Sequence, residues 1–395
     1  MNNQPMPPWR HGKEFQVLPM NKPNSPLELT RKLLRYNTVN PPGNERDCAA
    51  FLGHLLEEAR FKVKLYEYAD KRACLVATLG GGNEVAPVCF SGHIDTVPLG
   101  SAPWAHDPFG GELEGDQLYG RGASDMKGGV AAMVHAALKI AGLPHQKAGI
   151  TLVLTAGEEN GCKGAKFLAR KPDSLGKAGA IIVGEPTSNH PVLGHKGAFW
   201  LDACTDGISA HGSMPEQGES AIYKAARAVT LLENYRFNHR PHPVLGSPTL
   251  NVGTISGGTN YNLVPDRATI GIDIRTIPGQ DGESITQDLQ NYLGQDVRLE
   301  AVEEAGSIYT DQENDWVQSV FDLMQEFLGE RPSARGVTYF TDAAALTPAM
   351  GHPPTIILGP GEAAMAHKTD EFCYISKLET AAEVYFEIGR RWCGL

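Results

Sequence analysis

Near residue 197 the chain changes its grammar, and that change narrows the folds open to it. Ahead of it, strand-like apolar runs alternate with helical ones. The runs at 62–69 (KVKLYEYA), 73–80 (ACLVATLG), 86–92 (APVCFSG), 148–156 (AGITLVLTA) and 178–184 (AGAIIVG) read as strands. Segments 25–36, 45–61, 126–142 and 163–170 read as helices, the first with Ser25 as its N-cap. Apolar strands interleaved with helices imply a mostly parallel sheet covered on both faces. From 197 onward the order becomes strand (197–208), helix (219–236), two strands (249–258 and 267–277), helix (282–295) and strand (297–304). This β-α-β-β-α-β order is the split, ferredoxin-like unit. After 305 the earlier pattern returns, with helices at 315–328 and 376–392 around a strand at 353–359. The expected fold class is therefore α/β. A discontinuous domain is built from 25–196 and 305–395, a second domain is inserted at 197–304, and residues 1–24 form a loose arm.

Charge and cysteine usage exclude several classes. The net charge of −11 speaks against nucleic acid or an anionic membrane as partner. No window approaches ~18 continuous apolar residues, so no membrane span is expected. The first 24 residues lack the apolar core of a signal peptide. The 7 cysteines are scattered, with no C-x-x-C pair, which is the pattern of a reduced, cytoplasmic protein. Cys89 and Cys204 fall in strand runs and read as small core residues. Cys162 lies beside a pair of adjacent glutamates; a structural role is the expected reading, and contact with whatever site they form is the lesser alternative.

That pair, Glu158 and Glu159, raises a question of chemistry, because adjacent carboxylates repel. A lone Glu-Glu is most often a solvated turn, and a lone histidine after a strand is most often a surface or core residue. The joint pattern says more. His93 and Asp95 follow the strand at 86–92, and Glu158 and Glu159 follow the strand at 148–156. Glu185 follows the strand at 178–184, and His367 lies in the loop after 353–359. Asp125 immediately precedes a helix start. Open α/β sheets gather their sites at the carboxyl ends of strands, so these groups can converge. Two imidazoles with three or four carboxylates suit borderline-soft divalent cations, zinc above all. Two cations about 3.5–4 Å apart, sharing a carboxylate, would absorb the charge of the paired glutamates. One glutamate can then ligate while its neighbour shuttles the proton of an attacking water. Asp95 is placed to orient the His93 ring.

The motifs SGHIDTVP, LYGRGASDMKGG, TAGEENGCKGAK and VGEPTS, with GGTNYNLVPDRATIGIDIR in the insert, resemble the M20 metallopeptidase family. The similarity is greatest to its acetylornithine deacetylase and succinyl-diaminopimelate desuccinylase branch, and it runs from about residue 25 to the end. The resemblance implies a zinc-peptidase-like catalytic domain and two divalent cations per subunit, zinc first, with cobalt or manganese as alternatives. His93 and Glu185 would hold one cation, Glu159 and His367 the other, and Asp125 would bridge them, followed by a cis peptide to Met126. Glu158 would be the general base and acid, and Asp95 would steady His93. In the insert, His211 matches the histidine that stabilises the oxyanion, often from the partner subunit. Asn262 and Arg275 match residues that grip the substrate's carboxylate, a task suited to the guanidinium fork. Thr341, Asp342, Gly359 and Gly361 fall where the family has substrate-side loops. The insert would serve as a lid and as the surface of a homodimer.

The implied reaction is hydrolysis of an N-acyl amino acid, with acetyl, succinyl or a similar group removed. A metallo-dipeptidase or carboxypeptidase would need the same residues. A catalytically silent metal-binding relative would show damage to a ligand or to Glu158, and all of these are intact. A structural zinc site would favour a cysteine-rich shell, which this sequence lacks.

Overall fold

The computed structural model describes residues 24–80, 85–144 and 147–395, so the expected arm at 1–24 lies, but for Asn24, outside the described residues. A six-stranded sheet organises the chain. Its order is Lys62–Ala69, Arg72–Leu79, Ile150–Thr155, Val88–His93, Ala180–Val183 and Thr355–Ile357. The last four run parallel to one another. The first two form a hairpin that joins them antiparallel. The sheet is thus mostly parallel with one antiparallel edge. The tight Asp70–Lys71 turn makes that edge, because it leaves no length for a crossover.

Both faces are buried, and the period of two along each strand divides the side chains between them. Leu75, Ala77, Phe90, Leu152, Leu154 and Ile182 face one core, lined by helices Pro26–Leu34, Arg46–Glu58, Lys127–Ala141 and Ile375–Trp392. Cys74, Val76, Cys89, Val153, Ile181 and Val183 face the other, under Lys163–Arg170 and Ala343–Ala349. The short Ala343–Ala349 helix had no periodic signal of its own. Ser25 caps the first helix, its hydroxyl accepting the Glu28 N–H at 3.1 Å. All seven cysteines are free and buried, Cys89 and Cys204 in strands as expected.

The separate antiparallel sheet has the order Thr249–Gly257, Arg267–Arg275, Ala198–Asp206 and Arg298–Ala305. Helices Ala221–Glu233 and Gly282–Leu293 cover one face of it. Ile270, Ile272 and Ile274 are buried under them, while the residues between these are only partly buried, which is the half-wet alternation of an antiparallel sheet.

Glycines bring the helix Lys127–Ala141 hard against the strand end that precedes Glu185. A Cβ on Gly129 would lie 2.2 Å from the Gly184 carbonyl oxygen. Gly129→Ala is therefore expected to destabilise the protein by about 1–3 kcal/mol, the usual cost of overpacking. The check is the urea midpoint, and an unchanged midpoint would show that the helix can slide away from the strand.

Candidate metal centre

Each strand of the parallel group ends in a loop, and the loops meet. His93 is the last residue of its strand. Its Nδ1–H donates to the Asp95 carbonyl at 3.0 Å, which fixes the tautomer and turns Nε2 inward. Nε2 then lies 3.0 Å from Asp125 Oδ1 and 3.7 Å from Glu185 Oε1. On the other side, His367 Nε2 lies 3.4 Å from Asp125 Oδ2 and 3.2 Å from Glu159 Oε2. The two oxygens of Asp125 thus face two different imidazoles, and each imidazole has a further carboxylate. The Asp125–Met126 peptide is cis.

Asp95 meets the His93 ring, and it does more than the sequence reading assigned to it. Its main-chain carbonyl steadies the His93 ring, while its carboxylate, 3.7 Å from Nδ1, steadies the paired glutamates. Oδ1 accepts the N–H of Glu158 at 3.1 Å and Oδ2 that of Glu159 at 3.2 Å. Oδ2 also accepts the Asn40 amide at 2.9 Å, and Asn40 in turn accepts from the Asn160 amide at 2.7 Å. Asn40 carried no motif signal. It sits in a Pro-Gly loop whose partners lie 55 and 120 positions away. Glu158, beside Glu159, points to different company: Cys162 Sγ donates to its Oε1 at 3.8 Å, and Asp342 lies next to both. Cys162, expected to be structural, thus touches Glu158.

The electrostatics show charge in excess. Burial pushes Glu158 well above the usual carboxylate range and Glu185 up to about 7. Burial, then Asp125, raises Glu159 as well. Burial would raise Asp125 too, but the hydrogen bonds from His367 and His93 outweigh it and hold the carboxyl well below its ordinary value. Burial opposes the charge on His93, yet Glu185 and Asp125 prevail and raise it well above a free imidazole. Hydrogen bonds to Asp125 and Glu159 push His367 up to about 10.

This donor set fits divalent cations. His93, Asp125 and Glu159 each offer an atom within 4.8 Å of the others. Among the described residues Glu159 Oε1 is buried without a hydrogen-bond partner, an arrangement that costs free energy unless a cation meets it. Two nitrogens with carboxylate oxygens are the ligands that zinc, cobalt and manganese accept.

The remaining expected residues fall into two groups. Thr341 and Asp342 are buried beside the cluster. The Thr341 hydroxyl accepts the Ala343 N–H at 3.1 Å, and the Asp342 carboxylate accepts from the Thr155 hydroxyl. Gly359 and Gly361 allow backbone to approach the ligand loops. An added Cβ would lie 2.2 Å from the Gly184 oxygen or 2.1 Å from the Ser124 oxygen, respectively. His211, Asn262 and Arg275 lie on the inserted sheet domain. His211 and Asn262 are exposed neighbours, joined by the Gly212 N–H to the Asn262 carbonyl at 2.7 Å. Among the described residues neither hydrogen-bonds to the carboxylate cluster. Arg275 is half-buried, bonded to Asp273 Oδ2 at 3.0 and 3.2 Å, with its guanidinium 6.0 Å from the Phe340 ring. That ring belongs to the loop carrying Tyr339, whose hydroxyl donates to the Pro186 carbonyl at 3.3 Å, beside Glu185. The loop therefore joins the two sheets at the site.

Known proteins share this arrangement of sequence and fold. The model of peptidase family M20/M25/M40 matches residues 89–391. A probable succinyl-diaminopimelate desuccinylase of Staphylococcus epidermidis is 29% identical, with 91% of this chain and 96% of that protein covered. An acetylornithine deacetylase of Myxococcus xanthus is 33% identical over 86% of this chain and 90% of that one. The crystal structure of an M20 family metallo-carboxypeptidase from Sulfolobus solfataricus shares the fold, with a TM-score of 0.77 at 18% identity, covering 94% and 99% of the two chains.

Proposed function

Since this chain belongs to peptidase family M20/M25/M40, we propose that it is a two-metal amidohydrolase that removes an acyl group from the amine of an N-acyl amino acid. The observation that carries this reading is Asp125, with one oxygen toward His93 and the other toward His367. His93 and Glu185 would hold one cation and Glu159 and His367 the other, with Asp125 shared. Zinc is the cation proposed, with cobalt and manganese as the alternatives. Bound there, two dications would polarise the amide carbonyl and acidify water.

The chain's own groups do the rest. Glu158 takes the proton of the attacking water and returns it to the leaving nitrogen. Burial raises its affinity for that proton, which suits a group that must both accept and donate it. Asp95 and Asn40 hold the Glu158–Glu159 turn in place during this exchange. Arg275 and Asn262 grip the substrate's carboxylate, and Thr341, Asp342, Gly359 and Gly361 line or shape the substrate side. His211, exposed on the insert with its side chain hydrogen-bonded to Ser213, is offered for the oxyanion. It would act from a partner subunit, with residues 197–304 as lid and dimer surface. Seven reduced cysteines suit a cytoplasmic enzyme.

A peptidase reading uses the same centre, and it draws support from the fold shared with the metallo-carboxypeptidase. The experiment is amine release by zinc- or cobalt-loaded protein from N-acetyl amino acids, N-succinyl amino acids and dipeptides in one panel. Cleavage confined to the acyl amino acids is expected. A preference for dipeptides would move the protein to the peptidase branch, and silence with both cations bound would overturn the substrate class.

A further inference from the structure

The turn that delivers Asp125 is held from behind by a carboxylate that no motif marked. Glu371 is fully buried. Its Oε1 accepts the N–H groups of Ser124 and Asp125, both at 2.9 Å. Its Oε2 accepts the Gly122 N–H at 3.0 Å and Nη1 of buried Arg121 at 2.7 Å. The Glu371 carbonyl takes the Gly120 N–H at 2.9 Å. The Ser124 hydroxyl donates to the Phe372 carbonyl at 2.7 Å and accepts the Glu362 N–H at 3.0 Å. Two segments 246 positions apart at Asp125 and Glu371 are thus stitched together by side chain and backbone. The second segment is also the one that carries His367.

We propose that Glu371 is a positioning residue that sets the separation of the two cation sites by fixing Asp125 against the His367 segment. This rests on the two-metal reading above. The argument is geometric. Asp125 can serve both sites only if its two oxygens keep facing different imidazoles, 3.0 and 3.4 Å away. A shared carboxylate tolerates little rotation when the ions it joins are about 3.5–4 Å apart. Its own side chain cannot supply that restraint, because its bonds to the imidazoles are what the cations replace. The restraint must come from the backbone, and Glu371 holds the Asp125 N–H and two others of the same turn. Arg121 balances the Glu371 charge, so the strut adds no net anion to a cluster already rich in carboxylates. The contact also spans the two halves of the centre, since His93 and Asp125 precede the inserted domain and His367 follows it.

The test is a Co(II) titration of the metal-free full chain, followed by calorimetry and visible absorption, with far-UV circular dichroism to verify the fold. Wild type is expected to take two equivalents. Glu371→Gln is expected to keep the first and to weaken the second about 10–100-fold, the usual effect of removing an outer partner of a ligand. A purely structural role for Glu371 would lower the unfolding midpoint yet leave both affinities of the folded variant at wild-type values, and that result overturns the proposal. Ser124→Ala removes one hydroxyl from the same stitch and covers the case in which Glu371→Gln does not fold. It should weaken the second equivalent several-fold, in the same direction, and a wild-type isotherm there is equally adverse. A wild-type chain that takes only one equivalent would instead overturn the two-metal reading itself.

Discussion

Glu158→Ala should leave both cations bound and cut kcat by about 10²–10⁴, the contribution of a positioned general acid and base. Glu159→Ala, one residue on, should do the reverse and lose metal first. The contrast follows from where the two carboxylates point. Glu159 Oε2 lies 3.2 Å from the His367 nitrogen, and its other oxygen is buried with no hydrogen-bond partner among the described residues. Among the described residues Glu158 has no such bond to either imidazole; Cys162 Sγ donates to its Oε1, and Asp342 offers an atom within 4.8 Å. Both main-chain N–H groups are held by the single carboxylate of Asp95, so truncating either side chain should leave the turn in place. The measurement is metal content by elemental analysis beside kcat and KM for each variant. Wild-type turnover in metal-replete Glu158→Ala would remove Glu158 from its proposed role. Equal metal loss in both variants would mean that the neighbours do the same work.

The elements that bury apolar surface at a regular spacing were legible in the sequence. The change from continuous apolar strands to a half-wet period of two announced the inserted unit, and Arg267–Arg275 shows that alternation in its burial. Clustering at strand ends was legible for the same reason. Val88–His93, Ile150–Thr155 and Ala180–Val183 run parallel and in register, so the residues just past them must meet. What the sequence concealed were contacts with no period. Glu371 reads as an ordinary acidic residue after His367, and only the fold brings it under a turn 246 positions earlier. Asn40 lies in a loop whose proline and glycine content announces a turn but not its partner. Asp95 was expected to steady His93, with no atom specified. Its carbonyl, two positions on, reaches that ring, while its carboxylate also holds the Glu158–Glu159 backbone. Sequence motifs identify which groups take part, whereas the direction of each oxygen is set by packing.

Chelation should abolish turnover, and reloading should release protons. In the metal-free protein the cluster holds its charge in balance with protons. His367 is pushed up to about 10 by Asp125 and Glu159, and His93 is also raised well above a free imidazole, chiefly by Glu185 and Asp125 against the pull of burial. At pH 7.5 the His367 ring therefore carries a second proton, and the shift on His93 acts in the same direction. A cation needs the same nitrogen lone pair, so each ligation must expel about one proton per histidine. Glu185, at about 7, adds a fraction more. The sign follows directly: as pH falls the protons compete harder, so apparent metal affinity drops, and as pH rises it climbs. Calorimetric titration of the metal-free chain with zinc in buffers of different ionisation enthalpy reads the number. More than one proton per subunit is expected at pH 7.5 once both cations are bound, one of them from His367. The loaded protein should also unfold at a higher temperature, since a cation at a hundred times its Kd contributes about 2.7 kcal/mol. Binding of two cations with no proton release would show that the imidazoles enter the centre already neutral.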